Sequence, residues 1–146
     1  MAGPQDASPQ TLFEDLAVGM SASITRRMTD EDIRKFAEAT GDANPIHLDE
    51  AFAAKSIFGT RIAHGMLTAS LISSVFATRL PGAGCIYVSQ DFKFKAPVRI
   101  GDDVTARVEV TGFVPHKKFV IFKTQCLVGL RAVVEGEAVI MVPSRA

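Results

Sequence analysis

The chain has 146 residues, of which 47% are hydrophobic, and this length and composition fit one globular domain with its own core. Sixteen basic and sixteen acidic side chains give a formal net charge of zero, so no overall field attracts the chain to nucleic acid or to an anionic membrane. The longest apolar runs fall short of the roughly 20 residues that cross a bilayer, which excludes a transmembrane helix and indicates a soluble domain.

The N-terminal segment MAGPQDASPQ contains neither an apolar stretch nor an arginine, so it predicts no export or transit signal and indicates a cytoplasmic protein. We expect residues 1–18 to form a flexible tail and residues 19–146 to form one domain. Cys85 and Cys126 lie far apart without CxxC spacing, which argues against a zinc site or a disulfide framework. Both are expected to act as small buried hydrophobic residues.

The first half of the chain has helical spacing after a short strand predicted over Ser21–Met28. Thr29, followed by acidic residues, is typical of a helix N-cap. Gly41 is placed where a C-terminal glycine ends that helix. Asp49 is predicted to cap a short second helix that runs through Ala54.

The segment HGMLTASLISSVFATRL, from His64 to Leu80, has no charged residue before Arg79 and predicts a long helix. Its apolar positions surround the axis instead of forming one stripe, which is typical of a helix buried on all sides. Pro81 and Gly82 are predicted to end it.

The second half alternates apolar and polar residues with the period of two that strands have. The turns are too short for parallel crossovers, so an antiparallel sheet is expected. Wrapping that sheet around the one apolar helix gives both a core, in an α+β fold. Because one helix leaves sheet edges and apolar area uncovered, we also expect a homodimer. The predicted strands are Ile86–Lys95, Val104–Thr111, Phe119–Val128 and Ala132–Val142.

The segment GDANPIH, from Gly41 to His47, places an acid, an amide, a proline and an imidazole directly after a predicted helix. Asp, Asn and Pro are common turn residues, and spacing alone favours a helix-terminating turn followed by an incidental histidine. The alternative is that Asp42 and His47 lie over the sheet and are directed at one water molecule. A carboxyl pKa raised by burial would suit such a pair to proton transfer near neutral pH.

Gly65 begins the apolar helix, where unpaired backbone N–H groups can hold an oxygen that becomes negative during a reaction. A glycine also lets a substrate approach the backbone closely. For His64 the sequence favours a packing or capping role. Ser70 follows on the same helix, where its hydroxyl either bonds to a helix carbonyl or is directed at the loop acid.

Three segments resemble the MaoC-like (hydratase 2) family, and most closely its short single-domain (R)-specific enoyl-CoA hydratases. The segments are FAEATGDANPIHLDEAFA, RIAHGMLTAS and PGAGCIYVSQDFKFKAPVRIGDDVTARVEV. The family motif includes Gly-Asp-x-Asn-Pro-aliphatic-His and a small residue six positions after the histidine, and Gly41 to His47 with Ala53 match it without departure. The resemblance covers the chain from about Met28 to Val142.

This resemblance implies a hot dog fold, in which an antiparallel sheet wraps the long helix and two subunits join their sheets. It also implies that Asp42 and His47 hold a catalytic water and that the Gly65 amide binds a thioester carbonyl. Ser70 would be a supporting hydrogen-bond partner, and Asn44 would shape the loop.

The implied reaction is the reversible hydration of a trans-2-enoyl-CoA to an (R)-3-hydroxyacyl-CoA, with no metal or redox cofactor. Coenzyme A is part of the substrate, and polyester precursor supply and fatty-acid metabolism would both use such an enzyme. The alternatives are a dehydratase of acyl carrier protein or another acyl thioester, a hot dog thioesterase and a non-catalytic thioester-binding module.

His116 is expected at the surface. Basic residues that could meet the CoA phosphates are Lys93, Lys95 and Arg99, or Lys117 and Lys118.

Overall fold

The computed structural model describes residues 9–146, which form an antiparallel sheet packed on one long helix. The sheet order is β1-β4-β5-β6-β2, and β3 also pairs with β6. This arrangement is the predicted hot dog architecture. Within the described residues, no helix is long and apolar enough to span a membrane. The elements are β1 (Ser21–Arg27), α1 (Asp30–Thr40), α2 (Pro45–Leu48), α3 (Glu50–Ala54), α4 (Gly65–Thr78), β2 (Ile86–Gln90), β3 (Lys93–Phe94), β4 (Asp103–Val114), β5 (Phe119–Val128) and β6 (Arg131–Met141).

The predicted ends of the early helices are confirmed by their caps. The Thr29 side chain accepts the N–H of Asp32 at 3.1 Å and begins α1. Gly41 ends α1 in the left-handed region, with φ at 81°. The Asp49 carboxylate accepts the N–H of Phe52 and begins α3.

Helix α4 packs on the sheet but is not buried on all sides as predicted. Ile72, Val75 and Phe76 are buried, and the Phe76 ring meets the Phe122 ring edge-on with centroids 4.8 Å apart. Met66 on the same helix is 55% exposed, and Ser70, Ser73 and Ser74 are exposed with it. The prediction was wrong because the sheet of one chain covers only one side of this helix. The serines carry no charge, so their solvent-facing positions did not stand out within the apolar segment.

The strand predicted over Ile86–Lys95 is divided into β2 and β3 between Gln90 and Lys93. At the break the backbone of Asp91 lies against Gly136, where an added Cβ would be 1.9 Å from the Asp91 carbonyl oxygen. The Asp91 carboxylate also accepts the N–H of Glu137 at 3.2 Å. A close backbone approach of this kind needs glycine, so Gly136 permits the break.

The segment before β1 is packed, in contrast to the expected tail over residues 1–18. The N–H of Thr11 donates to the Pro81 carbonyl at 2.7 Å, and the N–H of Phe13 donates to the Pro143 carbonyl at 2.8 Å. Leu16 is 8% exposed and belongs to the core. The predicted boundary at residue 18 is therefore too late, because Phe13 and Leu16 supply apolar surface that the domain buries. Residues 1–8 of the expected tail lie outside the described residues.

The two cysteines are unpaired, as the sequence predicts. Cys126 is fully buried, and this burial raises the pKa of its thiol to about 12. Cys85 is partly buried, and its Sγ lies 3.4 Å from the Phe76 carbonyl. Cys126 therefore packs as a small hydrophobic residue, and Cys85 packs at the edge of the core.

Candidate active site

The loop that carries Asp42 is fixed by short-range hydrogen bonds on both sides of the residue. The N–H of Asp42 donates to the Thr40 hydroxyl oxygen at 3.2 Å, and the N–H of Asn44 approaches the Asp42 carboxylate at 3.4 Å. The Asn44 side chain then accepts the N–H of Ile46 and begins α2. The loop is thus a hydrogen-bonded connection between α1 and α2, in which Asn44 caps the start of α2.

His47 lies in the one-turn helix α2 and is 8% exposed. Its Nδ1 is 2.8 Å from the Ile62 carbonyl oxygen. A carbonyl can only accept, so Nδ1 carries the hydrogen, and Nε2 of the neutral ring has a free lone pair. Burial lowers the pKa of His47, and repulsion from His64 acts in the same direction. His47 is therefore held as a neutral imidazole whose Nε2 can accept a proton.

The backbone of α2 is held by Arg61. The Arg61 Nε donates to the His47 carbonyl at 2.6 Å, and its terminal nitrogen is paired with the carboxylate of Asp30. The Arg61 side chain is only 12% exposed. This guanidinium, which the sequence analysis did not single out, connects the helix of the candidate base to the start of α1.

Asp42, His47 and His64 form one cluster, in which one side-chain donor atom from each residue lies within 4.8 Å of the others. Two polar atoms within this distance can share one water molecule, so the carboxylate of Asp42 and the ring of His47 can bind the same one. Carboxylate and imidazole are also donors for transition-metal ions, so in residues 9–146 these three could hold one. The cluster can therefore hold a polarised water between an acid and a base.

Gly65 is the first residue of α4 and lies beside this cluster at the cavity wall. Its N–H is one of the helix donors that have no intrahelical partner. The Phe94 ring lies directly over Gly65, since an added Cβ would be 2.7 Å from Phe94 Cδ1. Because Gly65 has no side chain, the Phe94 ring and the first amide of α4 can both lie at the wall of the same cavity.

The cavity has a volume of about 470 Å³, a size that accommodates a small organic ligand. Its walls are mostly apolar, and its polar side chains are concentrated at the Asp42–His47–His64 cluster. Such a space suits an apolar chain whose reactive end meets the polar groups. The lining residues are Asp42, His47, Phe58, Ile62, Ala63, His64, Gly65, Met66, Thr68, Phe94, Lys95, Ala96, Pro97, Val98 and Val134.

The structure does not bring every predicted residue to the cavity. Ser70 is exposed, and its hydroxyl donates to the Leu67 carbonyl at 2.6 Å, which is the helix-bonded alternative of the two that the sequence left open. Of the basic residues, Lys95 lines the cavity, whereas Lys118 lies over the Phe13 ring near the β4–β5 turn. His116 is exposed in that turn, as predicted.

His64 is buried at 2% exposure and belongs to the cluster. It packs, as the sequence favoured, and it occupies the N-cap position of α4 without making a side-chain cap. Its Nε2 is 2.9 Å from the main-chain carbonyl oxygen of Asp42. The sequence does not reveal this contact with the site, because a bond to a main-chain carbonyl 22 residues away leaves no mark in the sequence pattern.

The protein-family model described as "MaoC like domain" matches residues 16–128 of this chain. The chain is 57% identical over 133 residues to an (R)-specific enoyl-CoA hydratase of Rhodospirillum rubrum, with 91% of this chain and 92% of the relative covered. It is 50% identical over 133 residues to a 3-hydroxybutyryl-CoA dehydratase of Methylorubrum extorquens, with 91% of this chain and 85% of the relative covered.

A solved structure has the same overall shape. The unliganded R-hydratase of Pseudomonas aeruginosa superimposes with a TM-score of 0.89 at 42% sequence identity. The match covers 94% of this chain and 89% of that chain. The similarity therefore extends over nearly the whole fold.

Proposed function

Because this chain belongs to the MaoC-like family, we propose that it catalyses the reversible (R)-specific hydration of a trans-2-enoyl-CoA to an (R)-3-hydroxyacyl-CoA. The observation that carries the proposal is that Asp42 and His47 meet at the wall of one cavity beside the first amide of α4. The relatives from R. rubrum and M. extorquens are named for hydration and for dehydration, which are the two directions of one type of reaction.

In the proposed mechanism the thioester carbonyl accepts a hydrogen bond from the Gly65 N–H. Asp42 and the Nε2 of His47 hold a water molecule and take a proton from it while its oxygen adds to C3. The electron pair of the double bond moves toward the carbonyl, and the Gly65 amide stabilises the resulting enolate oxygen. The Asp42–His47 pair then returns that proton to C2 from the same face, which completes the (R)-3-hydroxyacyl thioester and restores the starting protonation of the pair.

We propose that this reaction needs no metal or redox cofactor. The thioester already polarises the double bond, and hydration changes no net oxidation state. The protein has to supply an acid–base pair, which contributes about 10²–10⁴-fold. It also has to supply an oxyanion donor, whose removal costs about 3 kcal/mol in comparable enzymes.

We propose that Lys95 meets a CoA phosphate. It follows β3 and lines the cavity, and its side chain is 52% exposed. Its Nζ is 3.5 Å from a Glu135 carboxylate oxygen, a weak exposed pair that a phosphate can displace. Lys93 lies two residues earlier on β3.

We propose a homodimer that forms through β2. The two edges of the sheet differ in character: β1 presents polar residues such as Ser23 and Arg27, whereas β2 presents apolar ones. Ile86, Tyr87 and Val88 are 52%, 38% and 45% exposed. An apolar edge strand with free backbone groups favours pairing with another strand.

A cytoplasmic location is part of the proposal, and it is supported by the two unpaired thiols.

Crotonyl-CoA tests the function directly. A hydratase removes the absorbance of the enoyl-thioester without releasing a free thiol, a thioesterase releases thiol, and a binding module does neither. The assay is run in EDTA, so that retained hydration also supports a reaction without a metal. Loss of absorbance with stoichiometric release of thiol would overturn the proposal.

Parallel rates on crotonyl-CoA and on the matching acyl-carrier-protein thioester distinguish a hydratase of CoA esters from an acyl-carrier-protein dehydratase.

A further inference from the structure

His64 makes a directional contact with the loop of the candidate acid. Its Nε2 lies 2.9 Å from the main-chain carbonyl oxygen of Asp42. The carbonyl can only accept, so Nε2 carries the hydrogen and donates it. This bond connects the residue at the N-terminus of α4 to the backbone that carries the Asp42 carboxylate.

The ring of His64 also contacts the candidate base. The centroids of the His47 and His64 rings are 3.9 Å apart, and the ring planes are inclined at 30°. On α1, the Phe36 ring packs against His64 with centroids 4.8 Å apart. His64 thus packs against both α1 and the ring of His47.

A side chain needed only for packing would not require imidazole. His64 is 2% exposed, and its Nδ1 has no hydrogen-bond partner within residues 9–146. A buried acceptor left without a partner is unfavourable, and an apolar ring of similar size would avoid that cost. The bond to the Asp42 carbonyl needs a donor at the far end of the ring. Imidazole provides that donor, and an apolar ring does not.

We infer that His64 is a positioning residue for hydration, which holds the Asp42 loop through Nε2 and the His47 ring through stacking so that both groups reach one water. The inference rests on the proposed function. It assigns His64 no contact with the substrate and no proton to transfer.

Two amide substitutions test this role, because each places a donor where one of the two ring nitrogens was. The amide nitrogen of His64→Gln can reach the position of Nε2, whereas that of His64→Asn reaches only the position of Nδ1. We expect His64→Asn to lower kcat by about 10²-fold with little change in KM, since a small displacement of catalytic groups has an effect of that size. We expect His64→Gln to recover most of the loss. His116→Gln, at an exposed histidine, is the matched control and should behave as wild type.

The inference is overturned if folded His64→Asn retains wild-type kcat, or if the Gln and Asn variants lose kcat equally. NMR of the ring nitrogens of the wild-type protein gives a test that needs neither activity nor a variant. Protonation of neutral His64 at Nε2 and of neutral His47 at Nδ1 supports the inference, and a His64 proton on Nδ1 contradicts it. If wild-type protein fails to hydrate crotonyl-CoA, the proposed function fails, while the NMR result still decides whether His64 holds the Asp42 loop.

Discussion

The Nδ1 of His47 donates to the Ile62 carbonyl at 2.8 Å, and this bond makes Nε2 the unprotonated nitrogen of the neutral ring. The ring is therefore prepared as a base by a main-chain group from a different segment of the chain. The carboxylate of Asp42 lies in the same cluster, so the fold brings the proposed acid and base together.

Asp42→Asn and His47→Gln are each expected to lower the rate of crotonyl-CoA hydration by at least about 10²-fold, because each removes one of the groups proposed to activate water. The exposed position of Asp42 means that its substitution should leave the fold intact. Circular dichroism and thermal unfolding check the fold, and steady-state kinetics measures the loss. Near-normal turnover by either folded variant would rule out the assigned role.

The pH dependence of kcat/KM is expected to follow His47. Burial lowers its pKa below the ordinary 6.5, so the basic form predominates at neutral pH and hydration is lost as pH falls through the lowered value. The unfolded chain takes up this proton at a higher pH than the folded chain does. Stability should therefore fall as pH drops below about 6.5.

An NMR titration of His47 and the acid limb of the pH–rate profile should give the same apparent pKa. An acid limb above 6.5 would contradict the assignment of His47 as the base.

Gly65→Ala is expected to lower kcat/KM by about tenfold or more, because the added Cβ would lie 2.7 Å from Phe94 Cδ1 and move the ring or the helix end. Combining it with Phe94→Ala removes the clash and should recover part of the loss. Phe94→Ala alone is the control. If the double variant is no better than Gly65→Ala, steric conflict with Phe94 does not explain the loss.

Arg61→Lys is expected to destabilise the fold by about 1–2 kcal/mol, because lysine lacks the planar group that bonds both the His47 carbonyl and Asp30. Urea unfolding measures the difference. Arg34→Lys is the matched control, since Arg34 pairs with the same Asp30 but is 57% exposed. Its effect should be below about 1 kcal/mol. Equal effects from both substitutions would show that burial of Arg61 has no special importance.

If the proposed homodimer forms through β2, Val88→Lys is expected to convert it into a monomer, because a charge on β2 opposes pairing of two edge strands. Sedimentation velocity measures the change in mass. Val18→Lys is the control, since Val18 is an exposed valine that lies outside the sheet edge. A wild-type protein that sediments as a monomer at micromolar concentration would contradict the proposed homodimer.

The elements with strong local signals could be predicted from the sequence. The ends of α1 follow from Thr29 and Gly41, whose roles depend on neighbouring backbone groups alone. Strand β5 matches its predicted bounds, Phe119–Val128, because alternation and a flanking glycine determine it locally. Helix α2 was missed, although Asn44 followed by Pro45 is a recognised helix start and could have revealed it.

The parts of the site that depend on tertiary contacts could not be predicted in the same way. Spacing alone left Asp42 and His47 as turn residues, and it was the family resemblance that implied roles for Asp42, His47 and Gly65, which the fold brings to one cavity. The orientation of the Ser70 hydroxyl depends on rotation about the helix axis and on the sheet beneath, so its bond to Leu67 required coordinates. The partner of His64 is a backbone carbonyl whose position depends on how α1 ends.

The split between β2 and β3 has a consequence for the proposed homodimer. Both strands pair with β6 and are separated by two residues, yet β2 carries the apolar edge while β3 carries the ring of Phe94 against Gly65. We expect a shift in one strand to reach the other through this short connection. Self-association and thioester affinity should then be thermodynamically linked, so that dilution of the protein weakens its hold on the acyl group.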